Sequence, residues 1–492
     1  MTIVEVNCGK VKGYTENFLH IFKGIPYAEP PVDDLRFRPP QAKKSWDDVL
    51  ETVEFGPCAF QGYTALEEVT GKLQPESEDC LTLNIWTPGI DNRKRPVMFW
   101  IHGGGFLFGG GRSPAYDGSN LAKRGDVVIV TINYRLGAFG YLFIPGITAN
   151  VGQLDQILAL QWVNDNIAKF GGDPDNITIF GESAGAYSVI TLTAMPATKG
   201  LFRRIIAQSM PFIDPKVTKK PTKQLMRALG VKVGDIDALR KIAPEEIIKA
   251  QNEVTKQNGL AFRPIIDGDT FPTHPLTILK EGKCKNVDLM MGTNLNEAKL
   301  FTSLDPNLRK IKDDKAILFY LGAMGINSKN AQDIINTYKK AREGILSNEP
   351  KELLDAIATD LMFRVATLQI LEAQSKYQPH TYNYLFTWET SIYNGIFGSC
   401  HALELPFVFN TFEEPGMKAL VGDASNTEPL CEKIMDAWLS FARYGNPNHD
   451  RIPQWPTYEK KDRSTLVFGN EIKVVRAFYE KERKVWEKIL EI

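Results

Sequence analysis

Four short runs in the first 180 residues constrain the fold more than anything else in this chain. LTLNIW (81–86), VMFWI (97–101), VVIVTI (127–132) and ITIF (177–180) are apolar, rich in β-branched and aromatic residues, and bounded by turn residues. They read as strands buried on both faces. Between the last two lies VGQLDQILALQWVNDNIAKFGGDPDN, where Leu154, Ile157, Leu158 and Trp162 recur at helical spacing until Gly171 and Gly172 stop the pattern. Strands that alternate with helices and have no polar face need a mostly parallel sheet covered on both sides. RRIIAQ (203–208) and VDLMMG (287–292) continue the series, and strand signals return at TYNYLF (381–386), LVF (466–468) and IKVV (472–475). The expected class is α/β, with a mostly parallel central sheet and helices on both faces.

Two stretches break this rhythm. Residues 216–258 and 307–377, within a few positions, carry helical patterns and no strong strand, so they read as helical insertions over one end of the sheet. A helix at 428–443 sets Leu430, Ile434, Trp438 and Phe441 on one face, and a last helix covers about 478–490. Length alone gives a prior of about three domains. No Pro/Gly/Ser-rich linker divides the 492 residues and no repeat is visible, so one α/β body over 1–492 with an embedded helical cap is expected.

The formal net charge is −1, with no basic stripe and no block of like charge. That disfavours nucleic acid and anionic membrane as partners. No apolar run approaches the roughly 18 residues of a spanning helix. The N-terminal MTIVEVNCGKVKGYTE reads as a hairpin rather than a signal peptide, and a cytoplasmic protein is expected. Six scattered cysteines form no CxxC, which disfavours a zinc site or a disulfide framework.

IFGESAGAYS (179–188) is the first sign of chemistry. Gly181-Glu182-Ser183-Ala184-Gly185 fits G-x-S-x-G between a strand and a helix, a tight turn that exposes a hydroxyl at the carboxyl edge of a sheet. A serine needs a base and an orienting acid, and in this architecture they follow it in the order acid, histidine. That order removes His20 and His102. His274 sits between prolines, His380 opens a strand, and His449 lies in a polar turn. His401, in the loop GSCHALELPFVF, is the favoured base. Glu297 follows VDLMMGTNLN at the carboxyl end of a strand and is the favoured acid; Asp267 and Asp269 in IDGDT compete, but read as an ordinary turn. IHGGGFLFGGG (101–111) follows another strand, and the N–H groups of Gly104, Gly105 and Ala184 would form an oxyanion hole. There is no GxGxxG and no Walker A motif, so a dinucleotide or nucleotide cofactor is not expected, nor is a metal.

Together these pieces resemble the type-B carboxylesterase/cholinesterase-like family of α/β-hydrolases, most of all its bacterial para-nitrobenzyl esterase-type members. The resemblance covers nearly the whole chain: FKGIPYAEPP (22–31), SEDCLTLNIWTP (77–88), WIHGGGF (100–106), VTINYRLGAFG (130–140), FGGDPDNITIFGESAG (170–185), GTNLNE (292–297) and HALELPFVF (401–409). It implies the α/β-hydrolase fold and a triad of Ser183, Glu297 and His401. It also implies a buried modulating acid at Glu182 and a second, structural acid at Glu404. Cys58 and Cys80 match a pair that bridges a surface loop in secreted relatives; whether they are bridged here stays open. The chain departs from the family in three places. Residues 59–79 hold no tryptophan and one tyrosine, Tyr63, so a cation–π wall for choline is missing. Ala298 stands where relatives usually have glycine, and QSM (208–210) where QSG is common.

The expected activity is hydrolysis of small-to-medium apolar acyl esters through an acyl-enzyme, with a small-molecule ester as the partner and a monomer or weak homo-oligomer as the assembly. Phe106, Leu107, Phe108, Leu300 and Phe301 suggest apolar walls, with Met362 and Phe363 closing the acyl side. An amidase or carbamate hydrolase with the same triad is the rival reading, and a non-catalytic binding protein the remote one.

Overall fold

The computed structural model describes residues 1–62, 73, 75–147 and 149–490. Tyr63 and most of the segment between Cys58 and Cys80 therefore lie outside the described residues. The strands are β1 (Thr2–Val6), β2 (Gly9–Glu16), β3 (Leu19–Pro26), β4 (Val49–Glu51), β5 (Thr82–Thr87), β6 (Arg95–Ile101), β7 (Val128–Ile132), β8 (Gly172–Glu182), β9 (Arg204–Gln208), β10 (Asp288–Asn294), β11 (Thr381–Phe386), β12 (Thr465–Phe468) and β13 (Lys473–Val475). They form one 13-stranded sheet in the order β1-β2-β3-β5-β7-β6-β8-β9-β10-β11-β12-β13, with β4 beside β2. From β7 to β12 every neighbouring pair is parallel. The antiparallel pairs lie at the two ends. The chain begins in the hairpin that its sequence suggests.

The parallel centre is apolar on both faces. Ile177 and Ile179 of β8 pack into a core shared with Phe99, Ile205 and the helices Val151–Asn166 and Ala184–Leu192. Phe180, one residue on, faces the opposite core with Trp100, Ile206 and Trp438 from the helix Glu428–Tyr444. This alternation explains why the strands read as continuous apolar runs. β8 starts at Gly172, earlier than its apolar run, because GDPDN extends it beside Arg95 past a register shift.

The 216–258 stretch contains the helices Lys220–Ala228, Ile236–Arg240 and Pro244–Asn258. The 307–377 stretch contains Asp314–Ala323, Ser328–Arg342, Pro350–Thr359 and Val365–Ser375, the last two joined by a π-helical turn at Asp360–Arg364. A third core, with Ile334, Tyr338, Leu353 and Ile357, ties these helices to Trp486 of the C-terminal helix Glu480–Leu490. Among the described residues, no helix is long and apolar enough to cross a membrane. All six cysteines are free thiols, Cys58 and Cys80 among them, and both of these are buried.

Candidate active site

β8 ends at Glu182 and the helix Ala184–Leu192 begins two residues later, so Ser183 must turn the chain alone. It does so at φ 57°, ψ −121°, a conformation costly for a residue with a Cβ. Neighbouring backbone enforces it. The Ser183 N–H donates to the Gln208 carbonyl at 2.9 Å, and the Ser183 carbonyl accepts from Tyr187 N–H at 2.9 Å. The turn is also too tight for a side chain at Gly181, where a Cβ would lie 2.6 Å from the Gly185 carbonyl carbon.

Two β-strand ends bring the other groups to this edge. β10 runs into the turn 294–298. There the Asn294 N–H donates to Glu297 Oε1 at 2.7 Å, and Glu297 Oε2 accepts from His401 Nδ1 at 2.7 Å. Glu297 is fully buried. The loop after β11 carries His401 and is locked to the same turn: Asn296 N–H donates to the Ser399 carbonyl at 2.9 Å and Ser399 N–H donates to Asn296 Oδ1 at 3.1 Å. The other imidazole nitrogen, Nε2, lies 3.0 Å from Glu182 Oε1, on the residue next to Ser183. The structure thus brings His401, Glu297 and the Glu182–Ser183 elbow together, with Nε2 on the glutamate and not on the serine hydroxyl. The competing residues are engaged elsewhere. His274 Nδ1 accepts from Leu276 N–H at the start of a helix, His449 faces the Lys433 carbonyl, and Asp267 closes its own turn through Asp269 and Phe271 N–H.

The glycine loop after β6 reaches the same point. Gly104 and Gly105 adopt φ +102° and +60°, and the Gly104 carbonyl accepts from Leu107 and Phe108 N–H. Among the described residues, the N–H groups of Gly104, Gly105 and Ala184 donate to no protein acceptor. For Ala184 this follows from its place in the first turn of a helix, whose N–H groups lack intrahelical partners.

Two glutamates converge on one imidazole, and a third lies close to both. Burial alone would hold His401 below its ordinary value, but the carboxylates of Glu182 and Glu297 overturn that and raise it well above 6.5. Glu404 is pushed up to about 7, first by burial and then by Glu182 and Glu297. Its oxygens accept from Gln208 Nε2 at 3.0 Å and Asn294 Nδ2 at 2.7 Å. His102, beneath the glycine loop, is pushed down to about 4 by burial and stacks on Tyr134. Among the described residues no cluster of His, Cys, Asp and Glu could hold a metal ion.

A model of the carboxylesterase family matches residues 1–486 of this sequence. The chain belongs to the carboxylesterase family. It is 37% identical over 485 residues to the para-nitrobenzyl esterase of Bacillus subtilis (strain 168), covering 96% of each chain. It is 33% identical to liver carboxylesterase 1 of Oryctolagus cuniculus, covering 99% of this chain and 93% of that one. A solved PNB esterase structure, 35% identical, superposes with a TM-score of 0.87 over 98% of this chain and 99% of that one. The α/β-hydrolase fold and the carboxylesterase activity follow from these relationships.

In this carboxylesterase the apolar residues flanking the site divide into two groups. Phe363 is buried with its ring 4.7 Å from the His401 ring, and Phe301, partly exposed, lies 5.2 Å from it. Met362 sits beside them, with its sulfur 3.7 Å from the Tyr320 hydroxyl. Leu107 and Phe108 are half-buried in the glycine loop. Phe106 turns away into the core against Tyr141 and Tyr187, and Leu300 joins the core beneath the sheet. Ala298 is buried and its N–H donates to Thr359 Oγ1 at 3.1 Å; Met210 is buried as well. Sequence reasoning missed Asn294 and Gln208. Asn294 links β10 to Glu297, Glu404 and the Cys400 carbonyl, and Gln208 joins Glu404 to Trp438 Nε1. Their one signal is a polar amide at the end of an otherwise apolar strand.

Proposed function

We propose that this carboxylesterase cleaves its esters through an acyl-enzyme on Ser183, with His401 as general base and Glu297 as the acid that orients it. One observation carries the reading: the imidazole is held by Glu297 on one nitrogen and points the other at the strained Glu182–Ser183 elbow. Nε2 need only exchange Glu182 for the hydroxyl of the adjacent residue, and such bonds tighten when substrate arrives. The serine oxygen attacks the ester carbonyl as its proton passes to Nε2. The tetrahedral oxyanion takes the N–H groups of Gly104, Gly105 and Ala184. Protonated His401 then gives its proton to the leaving alcohol, and water repeats both steps on the acyl-enzyme. Glu297 holds the imidazole in place and stabilises the imidazolium. Glu182 and Glu404 modulate and support the site.

Phe301, Met362 and Phe363 form the acyl side, which suits small-to-medium apolar acyl groups. The body is a single catalytic unit, with the helices of 216–258 and 307–377 as its cap. It works in the cytoplasm as a monomer or weak homo-oligomer, and the chemistry uses no cofactor or metal. The test is hydrolysis of para-nitrophenyl butyrate by the wild type and by Ser183→Ala. Turnover that falls to background in a folded Ser183→Ala supports the nucleophile; retained turnover refutes it. A matched carbamate, run alongside, tests the rival bond type.

A further inference from the structure

The π-helical turn at Asp360–Arg364 sits between two ordinary helices, and its closing bond runs from Val365 N–H to the Asp360 carbonyl. In an α-helix, residues five apart point about 140° away from each other. A turn closed by i→i+5 bonds brings them round to one face. The two residues so aligned here are Thr359 and Arg364, and both grip the turn that carries Glu297. Thr359 Oγ1 accepts from Ala298 N–H at 3.1 Å, just after the acid. Arg364 Nη2 donates to the Leu295 carbonyl at 3.1 Å, just before it.

Arg364 is buried and anchored from behind. Its Nη1 donates to Asp360, Asp360 also accepts from the Tyr338 hydroxyl, and that hydroxyl accepts from Trp486 Nε1 at 2.7 Å. The Tyr479 ring covers the guanidinium at 5.1 Å. A continuous buried polar chain thus runs from the C-terminal helix to the backbone of the acid turn.

We propose that the π-turn is a two-jawed clamp on the catalytic acid, with Thr359 and Arg364 as positioning residues that hold Glu297 in line with His401. The proposal rests on the reading of Glu297 as the triad acid. The charged and titratable groups facing Arg364 are Asp360 on its own turn, Tyr338 and Arg342 on the helix Ser328–Arg342, Tyr479 and Glu482 from the C-terminal segment, and Glu297 itself. Those facing His401 are Glu182 and Glu297, with Glu404 next to these two. Removing the Arg364 cation leaves the carboxylates around His401 less balanced, which favours the imidazolium.

The test compares wild type with Thr359→Val, Arg364→Met, Arg364→Lys and Glu297→Ala. It reads kcat and KM for para-nitrophenyl butyrate from pH 5 to 9, with thermal melts to confirm folding. Thr359→Val keeps the side-chain shape, so it remains informative if Arg364→Met does not fold. The clamp predicts that Thr359→Val and Arg364→Met lower kcat about 10-fold or more while KM stays within about twofold. It predicts an acid limb moved to higher pH in Arg364→Met and returned to its wild-type position by Arg364→Lys. A folded Thr359→Val with wild-type kcat overturns the clamp. So does a folded Arg364→Met with an unshifted limb. If Glu297→Ala keeps wild-type activity, the triad reading itself fails; if Glu297→Ala is inactive while the clamp variants behave as wild type, the clamp alone fails.

Discussion

Gly103 offers a clean test of how closely Ser183, the proposed nucleophile, is placed. Its φ lies outside the left-handed region, so alanine meets no backbone penalty there. The obstacle is purely steric. A Cβ on Gly103 would lie 2.7 Å from Glu182 Oε2, 2.8 Å from the Glu182 carbonyl oxygen and 3.2 Å from Ser183 Cβ. A relaxed carbon–oxygen contact is about 3.3 Å, so the Glu182 carbonyl must retreat by about half an ångström. That carbonyl belongs to the peptide leading into Ser183, and its retreat moves the elbow. Misplacement by about 1 Å can cost 10²-fold in rate, so Gly103→Ala should lose about 10-fold in kcat. Overpacking should also cost about 1–3 kcal/mol of stability. The assay is kcat and KM on para-nitrophenyl butyrate, beside the rate at which a phosphonate ester labels Ser183 and a thermal melt. Both rates should fall together. A Gly103→Ala protein with wild-type kcat and labelling rate would refute the claim that this packing sets the serine.

Other outcomes follow from the same geometry. Against burial, its two carboxylates leave His401 raised well above 6.5, so on the proposed role as base kcat/KM should rise with pH through a limb above 6.5; Glu182→Gln removes the largest raising influence and should move that limb toward acid. By linkage, the stability His401 gains from its carboxylates is full below about 6.5 and is lost as pH rises through its folded value, which pH-dependent melts of Glu182→Gln and wild type would reveal. Asp155 is fully buried and pairs with Arg135 through both oxygens, so Asp155→Ala should destabilise by about 3–5 kcal/mol in denaturant titrations. Phe363→Leu should raise the octanoate-to-butyrate ratio of kcat/KM about 10-fold; an unchanged ratio would remove Phe363 from the acyl wall. Alkylation after non-reducing denaturation should label both Cys58 and Cys80, and an unlabelled pair would reveal a bridge.

The parallel sheet was legible because its strands are buried twice. A strand with no wet face must spell itself in Val, Ile and Phe, as β6 and β7 do. Polar extensions were not legible: nothing in GDPDN announces that it pairs beside Arg95. The elbow could be read because it needs small residues at fixed places, and His401 and Glu297 because each sits at a sheet-edge loop with few rivals. Orientation was less accessible. Phe106 and Phe108 look alike in sequence, yet Phe106 turns into the core while Phe108 stays half-buried in the glycine loop. The π-turn was invisible, since DLMFRVATLQI reads as uninterrupted helix. One residue of extra winding leaves no trace in the pattern of apolar positions, yet it decides which way Arg364 faces.

The cluster of glutamates around His401 also bears on how a turnover ends. An ester arrives without charge and is indifferent to carboxylates. On the proposed mechanism its acid product would leave Ser183 as an anion beside Glu182 and Glu297, with Glu404 close to both. Like charges confined in so dry a place repel strongly. On that mechanism the product would be pushed out by groups that did nothing to resist the substrate, and the charge gained on hydrolysis would act as a one-way valve. The same arrangement predicts weak inhibition by free carboxylic acids and slow turnover of esters that already carry a negative charge, and steady-state kinetics on both would check it.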